Sequence, residues 1–528
     1  MKIPKKHELL ELQKKYRTDR KIGEVYGVPG RLVAYWRSKK GIPAFSQPKY
    51  SKETILDLWE RYGNDRLAGA ELEITGPAFR QWRLKYNIKS KPQQLKFRQL
   101  ELPLIDIPRR SRNARRETLI QKIIARKAGL KYVDEADAVE VMPDLVTCGA
   151  EMAAVLGHFK KIGAARIWDK TRIVVVLDHR IHAAADHDGV TAKTLRDWAR
   201  KQGIENFYDR GWGAVHQVTS EQGLTKPGDL IFGSNSYVSS CGGIGAVGLP
   251  ATTLELASVW ATGRIWYKVP PTVKVVLTGK IPRGLTAADI ALRFEHDLVN
   301  HVVAGKAIEI FGDPLSALSL SSRMTLAGPV FIPAAAAIGV SIDEISWKNL
   351  RKFYRQKLTP INADPDARYA DEIEINIGYL TPLVAHLEKG RDGLNPKIRA
   401  AEEFAGRKID SAVIGGCQGG SFDDLALAAA IFRGRHINRD VQAIIIPGSR
   451  KTYLEADEKG YIRLFIESGC MVASPGCGHC QWPASGNDRV ITTSACGDFD
   501  GEIFVASAAT AAASAIDGVV TDPRKYLL

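Results

Sequence analysis

The chain has 528 residues, 45% hydrophobic and 25% charged, which is the mix of a globular protein of three or four domains and not of a disordered or fibrous one. No apolar run reaches membrane-spanning length, and the basic start Met1-Lys-Ile-Pro-Lys-Lys-His7 leads into charged residues, so a cytoplasmic protein without membrane contact is expected. The net charge of +15 is segregated: residues 1–116 hold 28 Lys and Arg against 12 Asp and Glu, whereas the other 412 residues hold 46 against 47.

A polyanionic partner is therefore expected for the first fifth of the chain alone. That segment contains a duplication. Tyr16, Asp19, Arg20, Trp36, Arg37 and Ile42 recur at Tyr62, Asp65, Arg66, Trp82, Arg83 and Ile88, always 46 residues later. In each copy the pattern predicts a helix (9–16, 55–62), a polar break, a second helix, a turn and a third helix carrying the Trp-Arg pair. The turns are marked by Gly27-Val-Pro-Gly30 and Ile74-Thr-Gly-Pro77. Three short helices with a glycine turn before the last resemble a helix-turn-helix unit. The expectation is an all-α N-terminal module with repeats over 1–46 and 47–92.

In such a unit the last helix enters the major groove while basic side chains neutralise phosphates. The candidate nucleic-acid contacts are Arg31, Arg37, Lys39 and Lys40 in the first copy and Arg80, Arg83 and Lys85 in the second. The same composition also suits a plain helical domain whose tryptophans are core and whose lysines form a solvated face. Residues 93–116 follow as a basic linker, with Pro103, Pro108 and a run Arg109-Arg-Ser-Arg-Asn-Ala-Arg-Arg116 that opposes a packed core.

From Glu117 the texture changes. Short, nearly wholly apolar runs at 173–177, 273–277, 412–414 and 443–446 alternate with Ala-rich helical stretches at 425–433 and 506–516. This predicts an α/β body whose strands are buried on both faces. The 7 cysteines are too few for a disulfide framework in a chain of this length, and metal or redox chemistry is the better expectation.

Three of them stand out. Cys417 lies in Val413-Ile-Gly-Gly-Cys-Gln-Gly-Gly420, after a strand and before a helix; Cys477 and Cys480 lie in Ser474-Pro-Gly-Cys-Gly-His-Cys-Gln-Trp482, a Gly/Pro loop. Thiolates ligate iron–sulfur clusters, and glycines let the backbone wrap closely around one. Three cysteines would leave one iron open to a substrate oxygen. Taken alone, the Cys-x-x-Cys pair equally suits zinc or a redox pair.

Many motifs then occur in order: Val175-Val-Leu-Asp-His179, Gly213-Ala-Val-His-Gln-Val218, Lys226-Pro-Gly-Asp-Leu-Ile-Phe-Gly233, Leu254-Glu-Leu-Ala-Ser-Val-Trp-Ala-Thr-Gly263, Lys268-Val-Pro270, Arg323-Met-Thr325 and Pro447-Gly-Ser449, with the two cysteine loops among them. On these motifs, residues 117–528 resemble the aconitase superfamily, most closely the 3-isopropylmalate dehydratase large subunit. The resemblance implies three α/β/α domains around a [4Fe–4S] cluster on Cys417, Cys477 and Cys480, with interleaved first and second domains over 117–345 and a third over 346–528. The 346–528 region is expected to include a return of the chain to the core. The resemblance implies a lyase, more narrowly a hydro-lyase, that dehydrates and rehydrates a small hydroxy acid. The chain ends at the Ala-rich segment where the large subunit stops, so a separate small swivel-domain subunit is expected as partner.

Carried over by motif, Asp178-His179 is the pair that helps protonate the departing hydroxyl, His216 is the next site histidine, and Ser236 is the serine of an Asp-Ser-His motif. Departures are as informative. The motif reads Asn235-Ser236-Tyr237 here, the family glutamate aligns with Ile332, and the Thr-Asn after the first cysteine has become Gln418-Gly419. The segment that supplies two substrate-gripping arginines reads Thr493-Ser-Ala-Cys-Gly-Asp-Phe-Asp-Gly-Glu502, with Cys496 or Gly497 for the first and Glu502 for the second. Asn235, Tyr237, Gln418, Ser494, Cys496 and Glu502 thus become the substrate-binding candidates. An arginine fork exchanged for a carboxylate would repel an anionic substrate. Two functions follow: a hydro-lyase for a less anionic substrate, or a non-catalytic iron–sulfur sensor controlling a nucleic-acid-binding module. Cys148, Cys241 and Cys496 are extra thiols, and Cys496 is the candidate fourth ligand.

Overall fold

The computed structural model describes residues 3–43, 50–62, 65–72, 74–88, 116–149, 151–179, 192–298, 303–328, 335–354, 358–387, 396–478, 488–494 and 501–527. The chain divides into two units, Met1–Ser111 and Arg112–Leu528.

Among the described residues, the first unit holds six helices: α1 (Lys6–Tyr16), α2 (Asp19–Tyr26), α3 (Gly30–Lys39), α4 (Lys52–Tyr62), α5 (Asp65–Ala70) and α6 (Gly76–Lys85). Each repeat buries its own core, Leu9, Ile22, Val33, Trp36 and Ile42 in the first and Ile55, Leu58, Ala68, Phe79 and Ile88 in the second. Four of these positions correspond across the 46-residue offset, so the duplication preserves a core. Between α2 and α3 the chain turns through Gly27 at φ +63°. A Cβ on Gly23 would lie 2.4 Å from the Val28 carbonyl oxygen, which is why a glycine sits where these helices cross.

The recurring arginines have a structural task. Arg37 donates to both carboxylate oxygens of Asp19, at 3.0 and 2.8 Å, and to the Ile42 carbonyl at 2.8 Å. Arg83 does the same with Asp65, at 2.8 and 3.1 Å, and with the Ile88 carbonyl at 2.8 Å. Each ties the start of the second helix to the end of the third. This corrects the expectation that Arg37 and Arg83 meet nucleic acid: their side chains are 11% and 5% exposed and are held by a carboxylate within the fold. Arg31, Lys39, Arg80 and Lys85 are exposed, and Lys40 is half-buried.

Among the described residues, the second unit is built on three larger sheets and a two-stranded antiparallel ribbon of Ala138–Val141 with Ile265–Lys268. The first is wholly parallel, in the order Asn206–Tyr208, Ile173–Val176, Leu145–Cys148, Leu230–Gly233, Val247–Pro250. The second, also parallel, runs Ala337–Val340, Ala307–Phe311, Thr272–Thr278, Asp371–Asn376. The third has the order Lys397–Ala400, Leu383–Leu387, Glu502–Ala506, Arg489–Thr492, Ser411–Gly415, Gln442–Ile446, Met471–Val472, and only Leu383–Leu387 opposes its neighbours. Strands such as Ile173–Val176 are buried at every residue, as parallel strands covered on both faces must be. Helices Phe422–Phe432 and Ala508–Asp517 realise the Ala-rich stretches and pack in the core of the third layer.

The division expected at 345/346 falls elsewhere. Asp371–Asn376 returns to pair with Thr272–Thr278, so the second layer reaches Asn376 and the third begins at Leu383. Parallel pairing requires a long crossover, and here the crossover carries the chain past the expected boundary before it rejoins the sheet.

Both the first and third sheets reverse their winding. In the third, the chain moves from Ser411–Gly415 outward to Gln442–Ile446 and Met471–Val472, then returns to Arg489–Thr492 on the other side. In the first, it moves from Leu145–Cys148 to Ile173–Val176 and Asn206–Tyr208, then returns to Leu230–Gly233. Loops at such a reversal diverge and leave a crevice at the carboxyl ends of the strands, where ligands bind.

Candidate active site

The crevice of the third sheet holds Cys417. Its strand ends in Gly415 and Gly416, both at positive φ, +113° and +94°. A Cβ on Gly416 would lie 2.2 Å from the Gly478 Cα, so the two glycines let the loops touch and set Cys417 beside Cys477. Both thiols are buried together with Ala214 and Tyr237. Thr493 fastens the loop across the reversal: its hydroxyl accepts from Gly415 N at 2.9 Å and lies 2.9 Å from the Gln418 carbonyl.

The first sheet brings Asp178 and His179, the pair expected to handle the proton. Asp178 and His179 follow strand Ile173–Val176, and Asp178 Oδ1 lies 2.7 Å from His179 Nδ1. Asp178 Oδ2 accepts from Val215 N at 3.3 Å, and the Asp178 carbonyl accepts from Cys477 N at 3.0 Å. One oxygen of Asp178, one ring nitrogen of His179 and the Cys477 sulfur all lie within 4.8 Å of one another. His216 Nε2 donates to the Cys417 carbonyl at 2.9 Å and its ring stacks on Tyr237, 5.6 Å between centroids. Burial pushes the His216 pKa down, against the pull of the Cys417 thiol, so the imidazole stays neutral and its Nε2–H faces the carbonyl.

Two buried polar groups near these thiols have no partner among the described residues. Gln418 and Ser494 are 3% and 1% exposed, and the Gln418 Nε2 and Ser494 Oγ atoms lack hydrogen bonds. Ser494 Oγ lies 3.0 Å from where a Gly478 Cβ would stand, next to Cys477. Orphaned buried donors cost about 1–3 kcal/mol each unless something accepts from them. Asn235 and Ser236 are half-buried in the turn after Leu230–Gly233, and Tyr237 is buried. Cys480, Cys496 and Ile332 lie outside the described residues.

One expected residue is elsewhere. Glu502 opens its strand opposite Arg489, at the amino end of the sheet, whereas Cys417 follows the carboxyl end of Ser411–Gly415. A rise of about 3.3 Å per residue separates the two by roughly 15 Å. Glu502 Oε1 there accepts from His386 Nε2 at 2.7 Å and Arg407 Nη1 at 2.9 Å. It is a structural ion pair, and the expectation that it repels substrate is corrected. Cys148 and Cys241 are buried, and burial pushes both thiols up, Cys241 to about 12, as for inert core residues.

The sequence reading passed over Glu151. Ser234 Oγ donates to Glu151 Oε2 at 2.7 Å and accepts from Gly149 N at 3.1 Å, which bridges the reversal of the first sheet. Burial, with the Asp178 charge, pushes the Glu151 carboxyl up against the Ser234 hydrogen bond. Its available signal was its place just beyond a buried strand, Leu145–Cys148. Beside Cys417 lies a cavity of about 250 Å³, lined by His216, Gln418, Glu221, Asp423, Asp424, Glu455 and Lys451 among others. Burial pushes Asp424 up to about 6 and raises Glu221.

Aconitase (aconitate hydratase) sequences match residues 111–518 as a family. The chain belongs to the aconitase family. It is 33% identical over 429 residues to a 3-isopropylmalate dehydratase large subunit of Methanopyrus kandleri, covering 78% of this chain and 100% of that protein. It is 34% identical to a probable methanogen homoaconitase large subunit of Methanosarcina mazei, over 71% of this chain and 97% of that one. Among solved structures, the holo form of Thermococcus kodakaraensis aconitase X aligns with a TM-score of 0.42 and 16% identity, over 67% of this chain and 83% of that one.

Like these relatives, the protein is a hydro-lyase, and the family cofactor is a [4Fe–4S] cluster. The residues present fit that group. Two buried thiols converge behind touching glycines, and the orphaned Ser494 hydroxyl beside Cys477 is the kind of donor that cluster sulfurs accept from.

Proposed function

We propose that this protein is the cluster-bearing subunit of a hydro-lyase whose hydroxy-acid substrate carries fewer negative charges than a di- or tricarboxylate, completed by a separate small swivel subunit. The observation that carries the reading is the cavity beside Cys417: its described lining presents four carboxyl side chains, Glu221, Asp423, Asp424 and Glu455, against one ammonium, Lys451. A polycarboxylate entering there meets like charge, and one unpaired like charge in a partly dehydrated site costs several kcal/mol. The large-subunit relatives, covered almost end to end, support the second subunit.

Cys417, Cys477 and Cys480 would hold the cluster, which when bound would supply Lewis acidity toward the hydroxyl group that leaves or arrives. Asp178 fixes the His179 ring through Nδ1, so that His179 Nε2 exchanges the proton with the departing or arriving hydroxyl. Gln418 Nε2 donates to an acceptor oxygen of the substrate, while Ser494 Oγ, beside Cys477, would donate to the cluster, so each orphaned group gains a partner. Asn235, Ser236 and Tyr237 complete the wall; the Tyr237 ring packs on His216 and holds it against the Cys417 carbonyl.

The test is turnover by anaerobically reconstituted protein with any small subunit encoded beside it. Citrate, isocitrate, 3-isopropylmalate and homocitrate should give negligible rates, while hydroxy acids with a single carboxylate should be dehydrated. His179→Ala should abolish that activity. Robust turnover of any of the four named acids would overturn the charge argument.

A further inference from the structure

Charge within the first unit is sorted by helix. In both repeats the third helix, GRLVAYWRSK in α3 and GPAFRQWRLK in α6, contains no acidic residue. The described carboxylates lie on α1, α2, α4 and α5 or in the turn after α5. Arg37 and Arg83 are tied to Asp19 and Asp65, which leaves a different set facing solvent.

That set is periodic. On α3, Arg31, Tyr35 and Lys39 stand four residues apart, one above another on one helix face, and all three are exposed. On α6 the register positions of Tyr35 and Lys39 are taken by Gln81 and Lys85, with Arg80 beside them, again all exposed. Lys39 Nζ lies 5.3 Å from the Tyr35 ring centre, so an aromatic is interleaved with cation on that face. Each third helix follows its predecessor after a short turn, and Gly23 and Gly69 allow the close crossing: a Cβ on Gly69 would stand 2.8 Å from the Ile74 carbonyl oxygen.

We propose that the N-terminal unit binds duplex DNA through the outward faces of α3 and α6. An α-helix fits the major groove of B-form DNA but not the deep, narrow major groove of A-form RNA, which favours DNA over RNA as the polyanion. Arg31, Lys39, Arg80 and Lys85 neutralise phosphates along the groove, while Tyr35 and Gln81 face the bases. An amide at that register can pair with the N6 and N7 edge of adenine. Two repeats with the same register give two half-sites on one chain, so duplexes longer than one helical turn bind more tightly than shorter ones. This function is separate from the hydro-lyase site, and neither depends on the other being right.

The experiment uses the full chain and fluorescence anisotropy with a labelled mixed-sequence duplex of about two helical turns, over a salt series. The wild type should bind at low salt with log affinity falling linearly against log salt. The quadruple variant Arg31→Ala, Lys39→Ala, Arg80→Ala, Lys85→Ala should lose at least roughly 100-fold in affinity, and its slope should be shallower by about 3 to 4 at ~0.9 per phosphate contact. All four residues are exposed, so the fold should be kept, and hydrogen exchange of residues 6–39 and 52–85 checks this. A control variant, Lys6→Ala, Lys14→Ala, Lys15→Ala, removes cations from α1 and should change the slope far less. Unchanged binding by the folded quadruple variant, no binding by the wild type at low salt, or equal affinity for an RNA duplex of the same sequence would each overturn the proposal.

Discussion

Arg83→Ala should unfold the second N-terminal repeat while leaving the rest of the protein intact. The side chain is 5% exposed and makes three hydrogen bonds, two to the Asp65 carboxylate and one to the Ile88 carbonyl. Its guanidinium also lies 4.2 Å from the Trp59 ring centre. The hydrogen bonds that Arg83 donates to Asp65 push its pKa further up, so the charge is present at every working pH. Truncation strands a carboxylate and a carbonyl together, which costs about 3–5 kcal/mol for a fully buried pair. The Asp65 side chain is 22% exposed and regains some water, which lowers the figure to about 2–4 kcal/mol even with the lost contact to Trp59 included.

A repeat whose described buried apolar side chains are Ile55, Leu58, Ala68, Phe79 and Ile88 has little more stability than that to lose. Hydrogen exchange on the intact chain should show amides of 52–85 opening roughly 30- to 700-fold more readily, with strand Ser411–Gly415 unchanged. Arg80→Ala, exposed on the same helix, is the matched control and should fall within about 0.5 kcal/mol of wild type. If Arg83→Ala leaves exchange over 52–85 unaltered, the Asp–Arg–carbonyl tie does not hold the repeat, and the duplicated residues need another explanation.

Anaerobically purified protein should carry about four iron and four sulfide per chain, and Cys417→Ser, Cys477→Ser or Cys480→Ser should each abolish this in iron and acid-labile sulfide assays. Glu502→Ala should leave iron content untouched and cost about 1–3 kcal/mol in denaturant melts, because Arg407 and buried His386 lose their acceptor; loss of the cluster would return Glu502 to the site. Burial pushes Asp289 up to about 6, above its unfolded value, so it adds stability as pH falls through 6 and that gain is absent at pH 7.5. The stability difference between wild type and Asp289→Asn should therefore shift by about 2 kcal/mol toward the wild type between pH 7.5 and 4.5, and a flat difference would show that Asp289 is ionised throughout.

The α/β texture of the main body was legible because its strands are short, apolar and doubly covered, and Cys417 was conspicuous because a glycine-rich loop follows such a strand. Arg37 and Arg83 were misplaced for a different reason. Charge density marks a basic face, but it does not say which arginine turns inward. The discriminating signal was available in the duplication itself: Asp19 to Arg37 and Asp65 to Arg83 are both 18 residues apart, and a surface contact to phosphate would not require the aspartate to recur. Glu502 was misplaced because a linear motif was read through the loop between two strands. Whether a residue belongs to the carboxyl end of one strand or the amino end of the next decides which end of the sheet it occupies, and motif spacing alone does not carry that.

What no local pattern could reveal is how the site is joined. The reversal in the third sheet supplies Cys417 and Ser494, and the strand ends of the first sheet supply Asp178, His179, Ser234 and Glu151. These come together through backbone: Cys477 N donates to the Asp178 carbonyl at 3.0 Å, Ala214 N to the Gly448 carbonyl at 2.8 Å, and Gly213 bridges Ser449. A Cβ on Gly213 would lie 2.4 Å from the Gly448 carbonyl oxygen, so the approach tolerates no side chain there. Side chains join the same seam: His216 reaches the Cys417 carbonyl through Nε2, and Ser449 Oγ donates to Glu221 Oε1 at 2.7 Å. None of these contacts involves a thiol sulfur. The seam that joins the Asp178–His179 pair to the loops of Cys417 and Cys477 is therefore set by backbone hydrogen bonds and close glycine contacts of the fold.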